Sequence, residues 1–172
     1  MNKSIRILSA RDMPVYRDIR LRGLREDSTA FGSSYEEELE YPDQKFLDRI
    51  TPSGVEGHAL FGSFEGEELV GVIGIAQLGK AKMRHTADIW GMYVKAEHRG
   101  RGIGRALLDE AIRFGAALDG VRRIRLAVNA KNEPARQLYR SRGFECYGNE
   151  PNALFIDGEY YNEELYVLSL SA

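Results

Sequence analysis

Apolar and polar positions alternate through Ile5-Arg6-Ile7-Leu8, which predicts a first strand. Ser9 and Asp12 then precede a pattern at Met13, Tyr16, Ile19, Arg20 and Leu24, the spacing of one face of an amphipathic helix, with Pro14 tolerated in the first turn. Between residues 26 and 48 this periodicity fades into a loop, followed by a short helix around 43–50. Segments 58–64 and 69–78 read as strands joined by a tight Glu65-Gly66 turn, and the second is almost continuously apolar, as a central strand is. A longer strand covers 86–94, then a glycine-rich turn, then a helix over about 104–118 with Leu107, Leu108, Ala111, Ile112 and Gly115 on one face. Ile124, Leu126 and Val128 alternate with Arg123, Arg125 and Ala127 in a further strand, and 134–142 makes a short helix ending at Gly143. Strand, helix, strand in that order implies a locally parallel pair. An Asp157-Gly158 turn between 153–156 and 164–170 predicts a closing hairpin. No repeat, low-complexity tract or linker interrupts the pattern, so residues 1–172 are predicted to form one α/β domain.

Composition narrows the function classes. The chain has 172 residues, 43% hydrophobic and 29% charged, enough to bury one core. Its longest apolar stretches, 69–76 and 87–94, fall far short of the roughly 20 residues that span a bilayer. Twenty-four basic residues against 26 acidic ones, a net charge of -2, argue against a protein built to coat nucleic acid. The balance is uneven, however. Residues 95–142 hold twelve basic and five acidic side chains, whereas 26–48 hold one basic and eight acidic. The first region suits a polyanionic ligand, and the second either faces a cationic partner or is ordinary solvated surface. Cys146 stands alone, which excludes an intrachain disulfide, and its setting reads as packing rather than nucleophilic chemistry. The first ten residues carry Lys3 and Arg6 but no apolar signal run, which predicts a cytoplasmic home. His58, His85 and His98 lack the spacing of a metal site, and no G-x-S-x-G elbow is present.

The sharpest chemical feature is Arg99-Gly100-Arg101-Gly102-Ile103-Gly104-Arg105, set between a predicted strand and helix. Three glycines without Cβ atoms let several backbone N–H groups converge at the positive end of the helix, a volume suited to pyrophosphate. Arg99, Arg101 and Arg105 add charge and can fork onto phosphate oxygens. The simpler alternative is a tight turn bearing solvated arginines. The dinucleotide fingerprint G-x-G-x-x-G fails because Arg105 stands at its third glycine position, and no P-loop is present.

What this segment fits is R-x-x-G-x-G, at Arg99, Gly102 and Gly104, which resembles the acetyl-CoA-binding motif of the GNAT family of N-acetyltransferases. Asn132-Glu133-Pro134-Ala135, then Leu138-Tyr139 and Gly143-Phe144, resembles the family's second signature; together the two cover roughly residues 86–146. Asn132 and Tyr139, about two helical turns apart, point to one side. On spacing alone Asn132 also reads as an N-cap, and Tyr139 reads first as a core aromatic; the resemblance reverses that reading of Tyr139.

The resemblance implies a mixed, mostly antiparallel sheet flanked by helices, with acetyl-CoA as co-substrate in a V-shaped opening between two central strands. It implies acetyl transfer to a primary amine by direct attack through a tetrahedral intermediate. Arg99 to Arg105 and Asn132 would hold the cofactor, main-chain groups of Met92, Tyr93 and Val94 would contact it, and Tyr139 would protonate the leaving thiolate. Asp88 is the first candidate for the base, expected on strand parity to share a face with Trp90, Met92 and Val94. An ordered water, His85 and the Glu36 to Glu38 cluster are the alternatives. Two rivals stand beside the enzyme: a CoA-binding sensor without catalysis, and a nucleotide-binding protein, which lacks a Mg²⁺ ligand after the glycines. The acceptor stays open among polyamine, amino acid, antibiotic amine, protein N-terminus and Lys side chain. A homodimer is compatible with such a fold.

Overall fold

The apolar run at 69–78 forms β3 (Glu68–Gln77), third in a seven-stranded sheet. The computed structural model describes residues 3–52 and 56–170. The other strands are β1 (Lys3–Ile7), β2 (His58–Glu65), β4 (Thr86–Val94), β5 (Arg123–Asn129), β6 (Glu145–Ile156) and β7 (Glu159–Ser169), in the order β1-β2-β3-β4-β5-β7-β6. Only β4 and β5 pair in parallel, joined through the crossover helix α4 (Ile103–Ala117); every other neighbour is antiparallel. The helices α1 (Met13–Glu26), α2 (Tyr35–Leu39), α3 (Asp43–Ile50) and α5 (Glu133–Ser141) complete the elements that matter here. α2 lies inside the stretch expected to be loop. Ser34 starts it by accepting a hydrogen bond from the Glu37 N–H at 3.1 Å, a local cap that hydrophobic periodicity does not register.

Each face of the sheet carries its own core. Ala59, Phe61, Ile73, Ile75, Ala87, Ile89, Ile124, Leu126 and Val128 pack under Leu107, Leu108 and Ala111 of α4. Leu60, Phe64, Val72 and Tyr93 face the other way, against Tyr16, Ile19 and Leu24 of α1 and Phe46 and Ile50 of α3. The period of two along each strand thus serves both layers at once.

Two irregularities of β4 create space. Its ladder with β5 spans only Thr86 to Asp88, opposite Arg123 to Arg125, and past that point the two strands part. On its other edge, Val72 pairs with Tyr93 but Gly74 pairs with Trp90, so Gly91 and Met92 together oppose a single residue of β3. Gly91 takes φ +63°, the left-handed conformation that a bulge residue adopts cheaply only as glycine.

Candidate active site

Between the parted ends of β4 and β5 lies a cavity of about 710 Å³. Ile89 to Val94 form one wall and Leu126 to Asn129 the other, the turn into α4 closes one end, and Asn132, Leu138 and Tyr139 line the α5 side. Thr29, Ala30, Lys131 and Tyr161 also reach it, none of which periodicity or motif singles out.

The glycine turn has the geometry its sequence implies. Gly100 and Gly102 take φ +74° and +78°, and added Cβ atoms there would meet nothing within 4 Å, so the glycines serve conformation and access rather than packing. Gly102 is the N-cap of α4, no side chain caps the helix, and no acidic residue occupies its first turn. The leading N–H groups of α4 therefore face the cavity with their positive dipole end uncompensated. Gly104 acts through packing instead, since a Cβ there would stand 3.2 Å from Met92 Cε and its absence lets the helix approach β4.

The arginines of the turn divide. Arg105 lines the cavity and has no protein partner among the described residues. Arg99 lines it too, but its Nε donates to the Val94 carbonyl at 2.9 Å and its Nη2 to Asp27. Arg101 is not brought in: half exposed, it reaches away toward Glu65 at 3.4 Å. Buried Ile103 and Met92 to Val94 line the cavity. The Tyr93 side chain points to the opposite layer, where its hydroxyl donates to Glu26 at 2.5 Å. Burial first, and the Glu26 carboxylate second, raise the pKa of that phenol.

On the α5 side, Asn132 caps its helix by accepting from the Ala135 N–H at 3.2 Å while also lining the cavity. Tyr139 is buried, with its ring against Phe144 and Tyr166. Its hydroxyl has one weak protein partner, the Met92 sulfur at 3.6 Å, and burial pushes its pKa up to about 12.

Asp88 is not brought together with these groups. Both its oxygens accept from the Arg125 fork at 2.9 Å, at the closed base of the opening, and it does not line the cavity. The shared face expected for Asp88, Met92 and Val94 is also corrected. The bulge at Gly91 reverses the parity of the strand, so Trp90 packs toward α1 and α3 while Met92 and Val94 pack toward α4. Three carboxylates of the acidic segment 26–48 are spent internally: Glu26 serves Tyr93 and Arg22, Asp27 serves Arg99, and Glu38 is completely buried between Arg20 and Arg49, while Glu36, Glu37, Glu40, Asp43 and Asp48 stay exposed. No described helix is long and apolar enough to cross a membrane.

A model of the acetyltransferase (GNAT) family matches residues 21–144. The N-alpha-acetyltransferase RimI of Mycobacterium tuberculosis is 39% identical over 87 residues, which cover 51% of this chain and 52% of that protein. The chain spans about half the length of the curated relatives it matches. Among solved structures, an acetyltransferase of the GNAT family from Streptococcus pneumoniae superposes with a TM-score of 0.88 at 19% identity, covering 98% of this chain and 100% of that one. The structure of yncA from Salmonella typhimurium with its cofactor acetyl-CoA superposes with a TM-score of 0.82 at 20% identity, covering 100% and 96%. At such identities these two likenesses concern the fold.

Proposed function

Because the chain belongs to the acetyltransferase (GNAT) family, we propose that it transfers the acetyl group of acetyl-CoA to a primary amine within the cavity between β4 and β5. The observation that carries this reading is the convergence on one cavity of an uncapped glycine turn, a strand edge released from pairing and a buried, barely partnered tyrosine hydroxyl. The turn and Arg105 receive the phosphates, as oriented N–H groups and a free guanidinium do. Met92 to Val94 offer main-chain groups to the thioester and to the oxyanion that forms from it.

The amine attacks the thioester carbonyl, the C–N bond forms as the carbonyl pair moves to oxygen, and collapse of that oxyanion breaks the C–S bond. A proton leaves nitrogen and one arrives at sulfur, giving the amide and CoA thiol. Tyr139 stands beside the Met92 sulfur as donor to the departing thiolate. With its pKa near 12 the hydroxyl keeps its proton throughout the physiological range, so it acts as a fixed hydrogen-bond donor that bulk solvent restores if the proton passes on.

The attacking amine must be neutral, although a free alkylamine has a pKa near ~10.4. Asp88 is held by the Arg125 fork and does not line the cavity, and the proton is assigned to water there. Asp88→Asn is accordingly expected to change kcat/KM at neutral pH by less than about threefold, against the roughly hundredfold or greater loss typical of removing a general base. A loss of that size, recovering as the pH is raised, would return the role to Asp88.

Calorimetric titration with acetyl-CoA, desulfo-CoA and ATP tests the reading directly. Stoichiometric binding of both CoA species in preference to ATP is expected, followed by acceptor-dependent release of free thiol. Preference for ATP, or no binding of acetyl-CoA, would overturn it.

A further inference from the structure

Arg20 lies on α1 with only 8% of its surface exposed. Its Nε and Nη2 donate to the two oxygens of Glu38 at 3.0 and 2.7 Å. The same oxygens accept from Arg49 at 2.7 and 3.0 Å. Two guanidinium ions thus share one carboxylate, and the cluster keeps one uncompensated positive charge. The third nitrogen of Arg20, Nη1, makes no hydrogen bond within the described protein.

Nη1 is also the atom that stands nearest the missing side chain of Gly91. A Cβ on Gly91 would lie 3.8 Å from it and would meet nothing else within 4 Å. Gly91 lines the cavity, as do its neighbour Trp90 and, from the loop after α1, Thr29 and Ala30. The bulge glycine therefore leaves only the width of its missing Cβ between the cavity wall and the Arg20 guanidinium, which does not itself line the cavity. Phe31 packs across that guanidinium, its ring centre 4.5 Å from the Arg20 carbon, and fixes the plane of the donor.

A mostly buried cation that has only a share of one anion is unfavourable, and a donor nitrogen of it that a ligand can reach offers a place to complete the pairing. The nearby protein carboxylates are already committed, Glu26 to Tyr93 and Arg22, Asp27 to Arg99. An anionic oxygen brought by a ligand satisfies Nη1, as guanidinium ions do with carboxylates. That ligand is not CoA. The glycine turn that suits its phosphates lies at the far end of β4, and Met92, which touches Tyr139, points to the opposite layer from the one where Arg20 lies.

We infer that Arg20 binds the acceptor, and that the acceptor carries a carboxylate beside its amine: an amino acid rather than a polyamine or the end of a protein chain. The inference rests on the acetyltransferase reading and names the substrate class of that same site. Within the acidic segment 26–48, Glu26, Asp27 and Glu38 neutralise the protein's own arginines.

Trp90 is the chain's one tryptophan and lines the cavity beside Gly91, so its fluorescence reports occupancy of this wall. With desulfo-CoA saturating, the protein is titrated with each of the twenty standard L-amino acids, with their decarboxylated amines, with spermidine and with an unblocked peptide. At least one amino acid is expected to perturb the emission at a concentration at least about tenfold below its decarboxylated amine, below spermidine and below the peptide. Arg20→Gln should bring amino acid and amine to within about twofold of each other, with Arg20→Lys intermediate because it keeps the charge and loses the fork. The comparison on the unaltered protein stands even where R20Q fails to fold. Equal or tighter binding of the decarboxylated amines, of spermidine or of the peptide overturns the inference, as does a folded R20Q variant that keeps the preference. Absence of any response to amino acids while acetyl-CoA still binds by calorimetry overturns it too, and leaves the transferase reading intact. Failure of acetyl-CoA itself to bind removes both.

Discussion

Replacing Tyr139 with Phe is expected to lower kcat about a hundredfold, the lower range for loss of a positioned proton donor. The dissociation constant of acetyl-CoA should stay within about twofold, because the glycine turn and the β4 edge are untouched. The two measurements separate chemistry from binding for a structural reason. The Tyr139 ring is held by Phe144 and Tyr166, at centroid distances of 6.0 and 6.4 Å, and phenylalanine fills the same space. Only the hydroxyl is lost, and its one partner among the described residues is a thioether at 3.6 Å, so stability should change by less than about 1 kcal/mol. The pH profile adds a second check. A phenol whose pKa burial has raised to about 12 does not titrate between pH 7 and 10, so the unaltered enzyme should show no falling limb there from this group. Full turnover in the Tyr139→Phe variant would end the assignment.

The parts of this site that sequence reveals are those whose chemistry is local. Three glycines at alternate positions among three arginines where a strand meets a helix are visible in the sequence, and Gly100 and Gly102 take the positive φ and open surroundings that such a turn needs. Seven residues return a helix to the same side, which places Asn132 and Tyr139 together, but spacing alone favours a core role for Tyr139 and only the resemblance singles it out. The placement expected for Asp88 fails for an equally local reason. Parity along β4 holds only while the strand is regular, and Gly91, an isolated glycine within a strand pattern, is the available sign of a bulge. The destination of the acidic segment has no such sign. Glu36, Glu37 and Glu38 are adjacent and chemically alike, and which one turns inward depends on where Arg20 and Arg49 arrive from two other helices. That is a tertiary fact, and periodicity cannot carry it.

Glu38→Ala is expected to destabilise the fold by about 3–5 kcal/mol, the cost of breaking a buried ion pair on one side. Glu38 is fully buried and takes four charge-assisted hydrogen bonds, and truncation leaves the buried Arg20 without its counterion. A domain of ordinary stability, about 5–15 kcal/mol, would lose a large fraction of it. α2 is five residues long, too short to persist unaided, and Glu38 ties it to α1 through Arg20 and to α3 through Arg49. Burial, the largest influence on this carboxyl, opposes its ionisation, but the two arginine forks prevail and bring its pKa down from 4.5 to about 2. With the folded-state pKa below the unfolded value, the contribution is complete above about pH 4.5 and is lost as the pH falls toward 2. Urea unfolding of the two proteins should therefore show its full gap at pH 7 and a smaller one at pH 3. A gap that is constant across that range would mean that Glu38 acts through packing alone. The same variant bears on the acceptor wall, because the carboxylate that orients Arg20 also fixes where Nη1 stands behind Gly91. At pH 7, a folded Glu38→Ala protein should bind acetyl-CoA normally and lose the preference for carboxylate-bearing acceptors, which separates the layer that holds the cofactor from the layer that selects the amine.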